Sequence, residues 1–396
     1  MDLGVERIVF VTRDGVVGSG QVFLLYLLRW LRLSTDVQTE VLAWHEGPLL
    51  DQFAELAPVR VLDELNAWRP ARVAEVLGFR RLTGALKSLR LRWWVLQRRR
   101  ADLLYVNGLE AARILGFAVG PGARSVVHVH DVAELDGDRL SAADRDMIAA
   151  RADVFVAGSD EIADALCREL GVARSRIVVH HYVIAAGVQG PLVSLQPPTR
   201  AELGVGEDDL VVGAFGPPDW WAEPEQFVLM AWALRRRLPD RPLRFLWVAE
   251  DDDERALWPL RHDLRNAGVD DLTTIVSGSK PFDFLAAMDV LVCSTRREPA
   301  DLLVFEAVGL GTAVVRTYNV LRDSPAGATA VAVPYLDVDA LVEAVAALVT
   351  DPERRRRVVE AGTDAARGHH DVSVGARRLL AAVSQGGLIC VNLAMV

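Results

Sequence analysis

The sequence predicts an α/β protein made of two domains, each built around a parallel β-sheet. Short β-branched runs alternate with longer helical patterns along the chain, and parallel strands require crossover helices of this kind. The alternation stops once, over residues 185–199, where apolar periodicity is lost and Gly and Pro accumulate. At roughly 150 residues per domain, 396 residues are enough for two or three separately packed cores.

The first domain begins with the apolar run RIVFVT at residues 7–12, and further runs of the same kind follow. They are short and rich in Val, Ile and Phe, as buried strands are. Helices are predicted between them, most clearly over 21–33 and 160–170. The predicted strands are 7–12, 39–43, 59–62, 102–106, 125–129, 153–157 and 176–180.

The pattern restarts after the interruption, with helices predicted over 226–237, 304–308 and 338–349. We therefore predict an N-terminal domain over 1–190 and a C-terminal domain over 200–368. The segment 369–396 is expected to pack back on the N-terminal domain, and its end after Ser384 to be an extra strand or a disordered tail. The predicted strands of the second domain are 210–215, 243–249, 273–276, 289–293, 312–315 and 329–333.

The charge balance argues against one class of partner. The chain has 44 basic and 54 acidic side chains and a net charge of −10, whereas a general nucleic-acid binder needs a surplus of cations. Cys167, Cys293 and Cys390 lie too far apart for a metal motif or a disulfide framework, which indicates a reducing cytoplasm. The N-terminus lacks the pattern of a signal peptide, so a cytoplasmic location is expected.

The strongest motif is VCSTRREPADLLVFEA at residues 292–307. Glu298 follows a predicted strand, and Glu306 comes eight positions later on a helix that would begin near Asp301. The free N–H groups of that helix and its positive dipole end would suit a diphosphate, and Glu306 could accept hydrogen bonds from sugar hydroxyls. The spacing alone fits a helix cap with a solvated acid equally well.

Further motifs occur in a fixed order around this one. They are a glycine loop at 15–20, HVHD at 128–131, AGSDEIADAL from 157, AAMDVLVCS before Glu298, and EAVGLGTAVV from Glu306. Each is weak singly, but their order and spacing together are specific. In these motifs, over nearly its whole length, the chain resembles the retaining glycosyltransferases of family 4. That family has the GT-B fold, which consists of two Rossmann-like domains with a cleft between them.

The resemblance implies an enzyme that moves a sugar, of hexosyl type, from a nucleotide sugar to an acceptor with retained configuration and without metal or cofactor. The donor would be UDP- or GDP-linked, and the acceptor a small molecule, a glycan or a lipid-linked compound. His130 is implied near the reacting carbon on the acceptor side, Glu298 at a donor-sugar hydroxyl, and Glu306 at the nucleotide ribose. The other implied donor-binding residues are Gly18, Ser19, Gly20, Gly216, Ala300, Asp301 and Leu302.

One loop departs from the family pattern. The family carries an Arg and a Lys after the first strand of the second domain, whereas the matching positions here fall at Trp221, Ala222 or Glu223, and residues 201–234 contain no Lys or Arg. Three explanations are open: a relocated cation, an unusual donor, or a non-catalytic or repurposed GT-B protein that has lost standard diphosphate binding. The candidate compensating cations are Arg13, Lys280, Arg296 and Arg316.

A basic and apolar stretch, KSLRLRWWVLQRRR, occupies residues 87–100. Its cations, which include Lys87 and Arg100, stand among two tryptophans and several aliphatic residues. A helix of this kind could rest on the anionic inner face of a membrane, which would suit a lipid-linked acceptor. The alternative is an ordinary helix whose Arg side chains cover apolar surface.

Overall fold

The computed structural model contains two compact units, Met1–Val183 with Val372–Val396 and Ile184–Asp371. Each unit contains a fully parallel sheet with helices between the strands, so the predicted architecture of two Rossmann-like domains is confirmed. The predicted limits are 1–190, 200–368 and 369–396, whereas the units divide after Val183 and again after Asp371. The residues that the structure describes are 5–16, 18–62, 101–116, 123–135, 140–180, 198–220, 222–249, 252–277, 281–294, 300–318, 330–369 and 372–384.

The first unit has a seven-stranded sheet in the order β3-β2-β1-β4-β5-β6-β7. The strand order reverses between the neighbours β1 and β4, so the crossover helices go to opposite faces of the sheet. The elements are β1 (Arg7–Thr12), α1 (Ser19–Ser34), β2 (Gln38–Ala43), α2 (Leu50–Leu56), β3 (Val59–Val61), β4 (Leu103–Asn107), β5 (Arg124–Val129), α3 (Ala142–Arg151), β6 (Val154–Ala157), α4 (Asp160–Leu170) and β7 (Ile177–Val179).

The second unit has a six-stranded sheet in the order β10-β9-β8-β11-β12-β13, which reverses between β8 and β11. Its elements are β8 (Leu210–Phe215), α5 (Pro224–Arg237), β9 (Leu243–Ala249), α6 (Glu254–Ala267), β10 (Thr273–Ser277), β11 (Val290–Cys293), α7 (Ala300–Gly309), β12 (Ala313–Tyr318), β13 (Val331–Pro334), α8 (Val338–Thr350) and α9 (Pro352–His369). The last helix among the described residues, α10 (Val372–Ser384), belongs to the first unit.

Helix α1 is apolar on nearly every side, and residues 22–28 are all buried. A helix of this composition must be covered on more than one face. It contacts β4 on one side, and α10 packs against it on another through buried residues such as Leu379 and Leu380. The C-terminal helix therefore completes the core of the first unit.

Each predicted strand has its counterpart in the structure, with ends that differ by at most a few residues. The helix predicted over 304–308 is longer in the structure, where it spans Ala300–Gly309. The basic stretch 87–100, the tail after Ser384 and all of the predicted linker except its last two residues lie outside the described residues. Of the helices described, none has both the length and the apolar composition needed to cross a membrane.

The topology determines where each unit can bind a ligand. In doubly wound sheets, ligands bind beyond the carboxyl ends of the strands, at the point where the strand order reverses. In the first unit this point lies after β1 and β4, and in the second unit after β8 and β11.

Removing the α10 side chain that is buried in the first unit tests the role of this helix. Leu379 is fully buried, so we expect Leu379→Ala to lower the free energy of unfolding by about 2–5 kcal/mol. The neighbouring Arg377 is exposed, and Arg377→Ala should change it by less than about 0.5 kcal/mol. Urea unfolding followed by circular dichroism measures both, and equal effects would argue against a packed α10.

Candidate functional site

The carboxyl edge of the first sheet brings together β4, β5 and the start of α1. His130 directly follows β5, and Asn107 is the last residue of β4. The Asn107 side chain is buried and contacts α1 and the end of β5. Its Nδ2 donates to the Gly20 carbonyl at 3.1 Å, and its Oδ1 lies 2.7 Å from His130 Nε2. One amide thus joins the two strand ends to α1.

This contact fixes the protonation of the His130 ring. Because the Asn107 amide nitrogen faces a carbonyl, its oxygen faces the imidazole, and an oxygen acceptor requires a proton on His130 Nε2. The lone pair of the neutral ring is therefore on Nδ1. Burial lowers the pKa of His130 to about 3, so the ring is neutral at physiological pH.

Gly20 makes this arrangement sterically possible. A Cβ atom at Gly20 would lie 2.7 Å from His130 Cδ2, well inside van der Waals contact. The first turn of α1 therefore packs directly against the imidazole face. Gly18 ends the loop before α1 in extended backbone, and Ser19 begins the helix.

A second histidine lies beside the His130 ring. The ring centroid of His128 is 3.9 Å from that of His130, and the Tyr105 hydroxyl lies 2.7 Å from His128 Nδ1. Phe23 of α1 contacts the rings of His128, His130 and His180. Burial, and then the neighbouring His130 and His180, lower the pKa of His128 well below its ordinary value. His128 is thus an uncharged neighbour of His130.

Glu134 is a site residue that the sequence analysis missed. Its Oε1 accepts from the His130 backbone N–H at 2.8 Å, and its Oε2 accepts from that of Leu109 at 2.5 Å. Burial raises its pKa to about 7, against the lowering effect of these N–H donors. Glu134 ties the loops after β4 and β5 together. A single acid after HVHD carries no spacing signal, so only the folded chain shows this role.

The loop after β1 is organised by a buried carboxylate, Asp14. It accepts from the Val16 N–H at 3.1 Å and from the Arg13 Nε at 2.6 Å. Arg13 also donates to Glu110 at 3.0 Å. The contacts with Asp14 and Glu110 raise the pKa of the Arg13 guanidinium, although burial acts to lower it. The predicted compensating cation Arg13 is thus held between two acids of its own unit.

In the second unit, the loop after β8 begins at Gly216 with a φ of 132°. A side chain there would be strained, and its Cβ would lie 2.8 Å from the Ala222 Cβ. The Gly216 carbonyl accepts from the Trp247 indole at 3.1 Å, and its N–H donates to Val248. Gly216 therefore allows the tight turn of this loop and fixes its backbone to β9.

Glu306 lies on α7, the helix that follows β11 at the reversal point of the second sheet. Its Oε1 is shielded from solvent and has no hydrogen-bond partner in the part of the chain that the structure describes. Burial raises its pKa to about 8. A shielded carboxyl oxygen without a donor is costly, and a ligand hydroxyl would satisfy it.

The structure describes only some of the remaining predicted site residues. Ala300, Asp301 and Leu302 form the backbone of the first turn of α7, and the structure describes no more of them. Arg316 lies partly buried in β12. Glu298, Lys280 and Arg296 lie outside the described residues. Among the residues described, no group of His, Cys, Asp or Glu has the arrangement of a metal site.

Two family models match the chain, one on each unit. The model described as Glycosyltransferase Family 4 matches residues 21–184, and that described as Glycosyl transferases group 1 matches residues 210–351. The chain thus carries two glycosyltransferase domains, one in each unit. His130 and Glu306 lie inside the matched ranges, whereas Gly18 and Gly20 precede them. No curated protein matches the chain in sequence.

Solved structures share the fold of this chain along nearly its whole length. HepE of Anabaena, in complex with UDP and glucose, has a TM-score of 0.71 at 16% identity and covers 96% of this chain and 99% of its own. A glycosyltransferase from Rickettsia africae ESF-5 has a TM-score of 0.69 at 10% identity, with 96% and 98% covered. Sucrose-phosphate synthase of Thermosynechococcus elongatus has a TM-score of 0.61 at 15% identity, with 94% and 97% covered.

The contact between Gly20 and His130 can be tested by adding one methyl group. We expect Gly20→Ala to destabilise the protein by about 1–3 kcal/mol, because the imidazole cannot withdraw without losing its bond to Asn107. Gly18→Ala is the matched control. A Cβ there would approach only the end of the flexible Gln21 side chain, so a change below about 1 kcal/mol is expected in chemical unfolding.

The buried Glu306 carboxyl predicts a pH dependence of stability. Its folded pKa of about 8 lies above its ordinary 4.5, so ionisation disfavours the fold. The contribution of the protonated group is complete below pH 4.5 and is lost as the pH rises to about 8. Glu306→Gln should therefore match the wild type at pH 4 and exceed its stability by about 2–5 kcal/mol at pH 8.5. Glu360→Gln, at an exposed site, should show no such divergence in unfolding measured across this range.

Proposed function

We propose that this protein is a retaining glycosyltransferase of hexosyl type that needs no metal or cofactor and takes its sugar from a UDP- or GDP-linked donor. The acceptor would be a small molecule, a glycan or a lipid-linked compound. HepE, which shares the fold, binds UDP and UDP-glucose, and this supports a nucleotide-sugar donor.

The observation that carries the proposal is the shielded Glu306 Oε1 on α7. The nucleotide ribose presents two vicinal hydroxyls, which are the donors that this oxygen lacks. Hydrogen bonds from a ligand favour the ionised carboxyl and offset the cost of its burial. The first turn of the same helix presents backbone N–H groups, and its dipole would stabilise the departing diphosphate.

In the proposed reaction the acceptor oxygen bonds to the anomeric carbon, while the bond from that carbon to the phosphate oxygen breaks. The diphosphate leaves with the electron pair, and the acceptor proton goes to the leaving group or to water. His130 would act on the acceptor side as a neutral hydrogen-bonding group, because its pKa of about 3 excludes a cationic acid at neutral pH. Glu298 would bind a donor-sugar hydroxyl.

The location of the enzyme is part of the proposal and rests on sequence alone. We place it in the cytoplasm, with residues 87–100 as a contact to the inner membrane face. That contact would bring the enzyme to a lipid-linked acceptor.

Nucleotide binding tests the proposal directly. At a hundredfold excess over the dissociation constant, UDP or GDP should stabilise the protein by about 2.7 kcal/mol, which corresponds to a rise in Tm of about 5–10 °C. Glu306→Ala should abolish this rise, since it removes the ribose acceptor. Differential scanning fluorimetry with a nucleotide panel measures both.

Glu360→Ala is the control, because this glutamate is exposed on α9 and should leave the response intact. A response that persists in Glu306→Ala would overturn the assigned ribose contact. Absence of any response would favour a non-catalytic GT-B protein. With a donor identified, transfer should continue in EDTA, and NMR of the product should show the anomeric configuration of the donor.

A further inference from the structure

The end of β4 and the residues after it are joined to His130 at two points. Asn107, the last residue of β4, holds the imidazole through its side chain. Gly108 then turns the chain with a φ of 94°, a left-handed value at which a side chain would be strained. After this turn the backbone N–H of Leu109 donates to Glu134, which in turn accepts from the His130 backbone.

Glu134 accepts backbone N–H groups from the loop after β4 and from the loop after β5. Its Oε2 accepts from Leu109 at 2.5 Å and its Oε1 from His130 at 2.8 Å, and the Asp131 N–H is a further donor. An ionised carboxyl only accepts hydrogen bonds, so it suits this set of donors. Burial raises the pKa of Glu134 to about 7 against the effect of the donors, so the group is ionised at pH 8.5.

The two links hold different parts of His130. The Asn107 amide holds the imidazole, whereas the Glu134 carboxyl holds the backbone of the same residue. Both links end on the segment 107–109, so the ring and the backbone of His130 are fixed relative to one short piece of chain. Release of the backbone would therefore change the direction of the ring or stretch its 2.7 Å contact with Asn107.

A second carboxylate of the first unit makes the same kind of contact at the opposite edge of the sheet. Asp102 directly precedes β4, and its Oδ2 accepts from the N–H groups of Glu6 at 2.8 Å and of Arg7 at 2.9 Å. It joins the starts of the neighbouring strands β1 and β4. Ligands of doubly wound sheets bind at the carboxyl ends of the strands, so Asp102 braces the sheet away from the site.

We propose that Glu134 is a positioning residue: by holding the His130 backbone against the segment 107–109, it sets the direction in which the His130 ring faces the acceptor. The inference rests on the proposed function, because His130 acts on the acceptor only there. Glu134 contacts the backbone and acts on the reaction through His130. Asp102 makes a comparable pair of contacts without this role.

Glu134→Gln tests the assignment without a substrate. Its NH₂ group replaces one carboxyl oxygen and faces an N–H donor, so the bond to His130 or to Leu109 is lost. At pH 8.5 we expect at least one of these two N–H groups to exchange with solvent about tenfold faster or more. NMR of ¹⁵N-histidine-labelled protein should show the Nε2–H tautomer of His130 in the wild type and a mixture of tautomers in the variant, because the contact with Asn107 is weakened.

Asp102→Asn is the matched control. It removes a carboxylate that also holds two backbone N–H groups, so it should lower the Tm to a similar extent while the His130 ring signals stay those of the wild type. Glu134→Asp keeps the charge but is too short to reach both loops. It should show the same mixture of tautomers and covers the case in which the glutamine variant folds poorly. Unchanged ring signals in the folded Glu134 variants, or equal changes in Asp102→Asn, would overturn the proposal.

Turnover tests the consequence for the reaction. UDP-glucose serves as the donor probe with water as the acceptor, and the release of UDP is measured at pH 8.5. We expect Glu134→Gln to lower kcat at least about tenfold and to leave the KM for UDP-glucose within about twofold, whereas Asp102→Asn changes neither beyond about twofold. A fall shared by the control, or no fall in an active enzyme, would overturn the proposal. If no nucleotide binds the wild type, the proposed function fails, while the ring signals still decide whether Glu134 positions His130.

Discussion

All strands of both sheets run parallel, and this single constraint decides where the chemistry of each unit can lie. Parallel strands place all their carboxyl ends on one edge, and the reversals between β1 and β4 and between β8 and β11 open the two points where a ligand can approach the backbone. His130, Asn107 and Glu306 are far apart in sequence, and each follows or ends a strand, or lies on the helix after it. Their position at the edge of a sheet follows from topology.

The two edges differ in how their buried polar groups are satisfied. In the first unit, Asn107 and Glu134 hold the loops around His130 with side-chain bonds to strand ends and backbone N–H groups. In the second unit, the oxygens Glu306 Oε1 and Gln226 Oε1 are shielded without donors among the described residues. The loops of the first edge are thus held by internal hydrogen bonds, although His128 Nε2 is shielded there without a hydrogen-bond partner among the described residues. The second edge presents acceptors whose cost of burial a ligand can offset.

The charged groups also differ between the two units. The net charge of −10 is spread along the chain, but its consequence is local, because residues 201–234 hold no cation and contribute the buried Glu223. Arg13 is held by Asp14 and Glu110 in the first unit. The N-terminal end of α7 carries the positive end of the helix dipole, which would suit an anion.

The sequence by itself determined the fold, because alternation of strand and helix patterns with one interruption leaves few topologies, and motif order selected among them. The resemblance to a family singled out His130, and the motif at 292–307 singled out Glu306; the roles of both residues stay predictions. The sequence could not find Asn107, Glu134 or the pairing of Glu223 with Tyr335, because these contacts join residues from 4 to 112 positions apart with no fixed spacing. Only the tertiary structure decided which nitrogen of His130 carries its proton and which buried oxygens await a donor. Those properties depend on whether atoms of separate loops come within hydrogen-bonding distance, and this cannot be read from the order of residues along the chain.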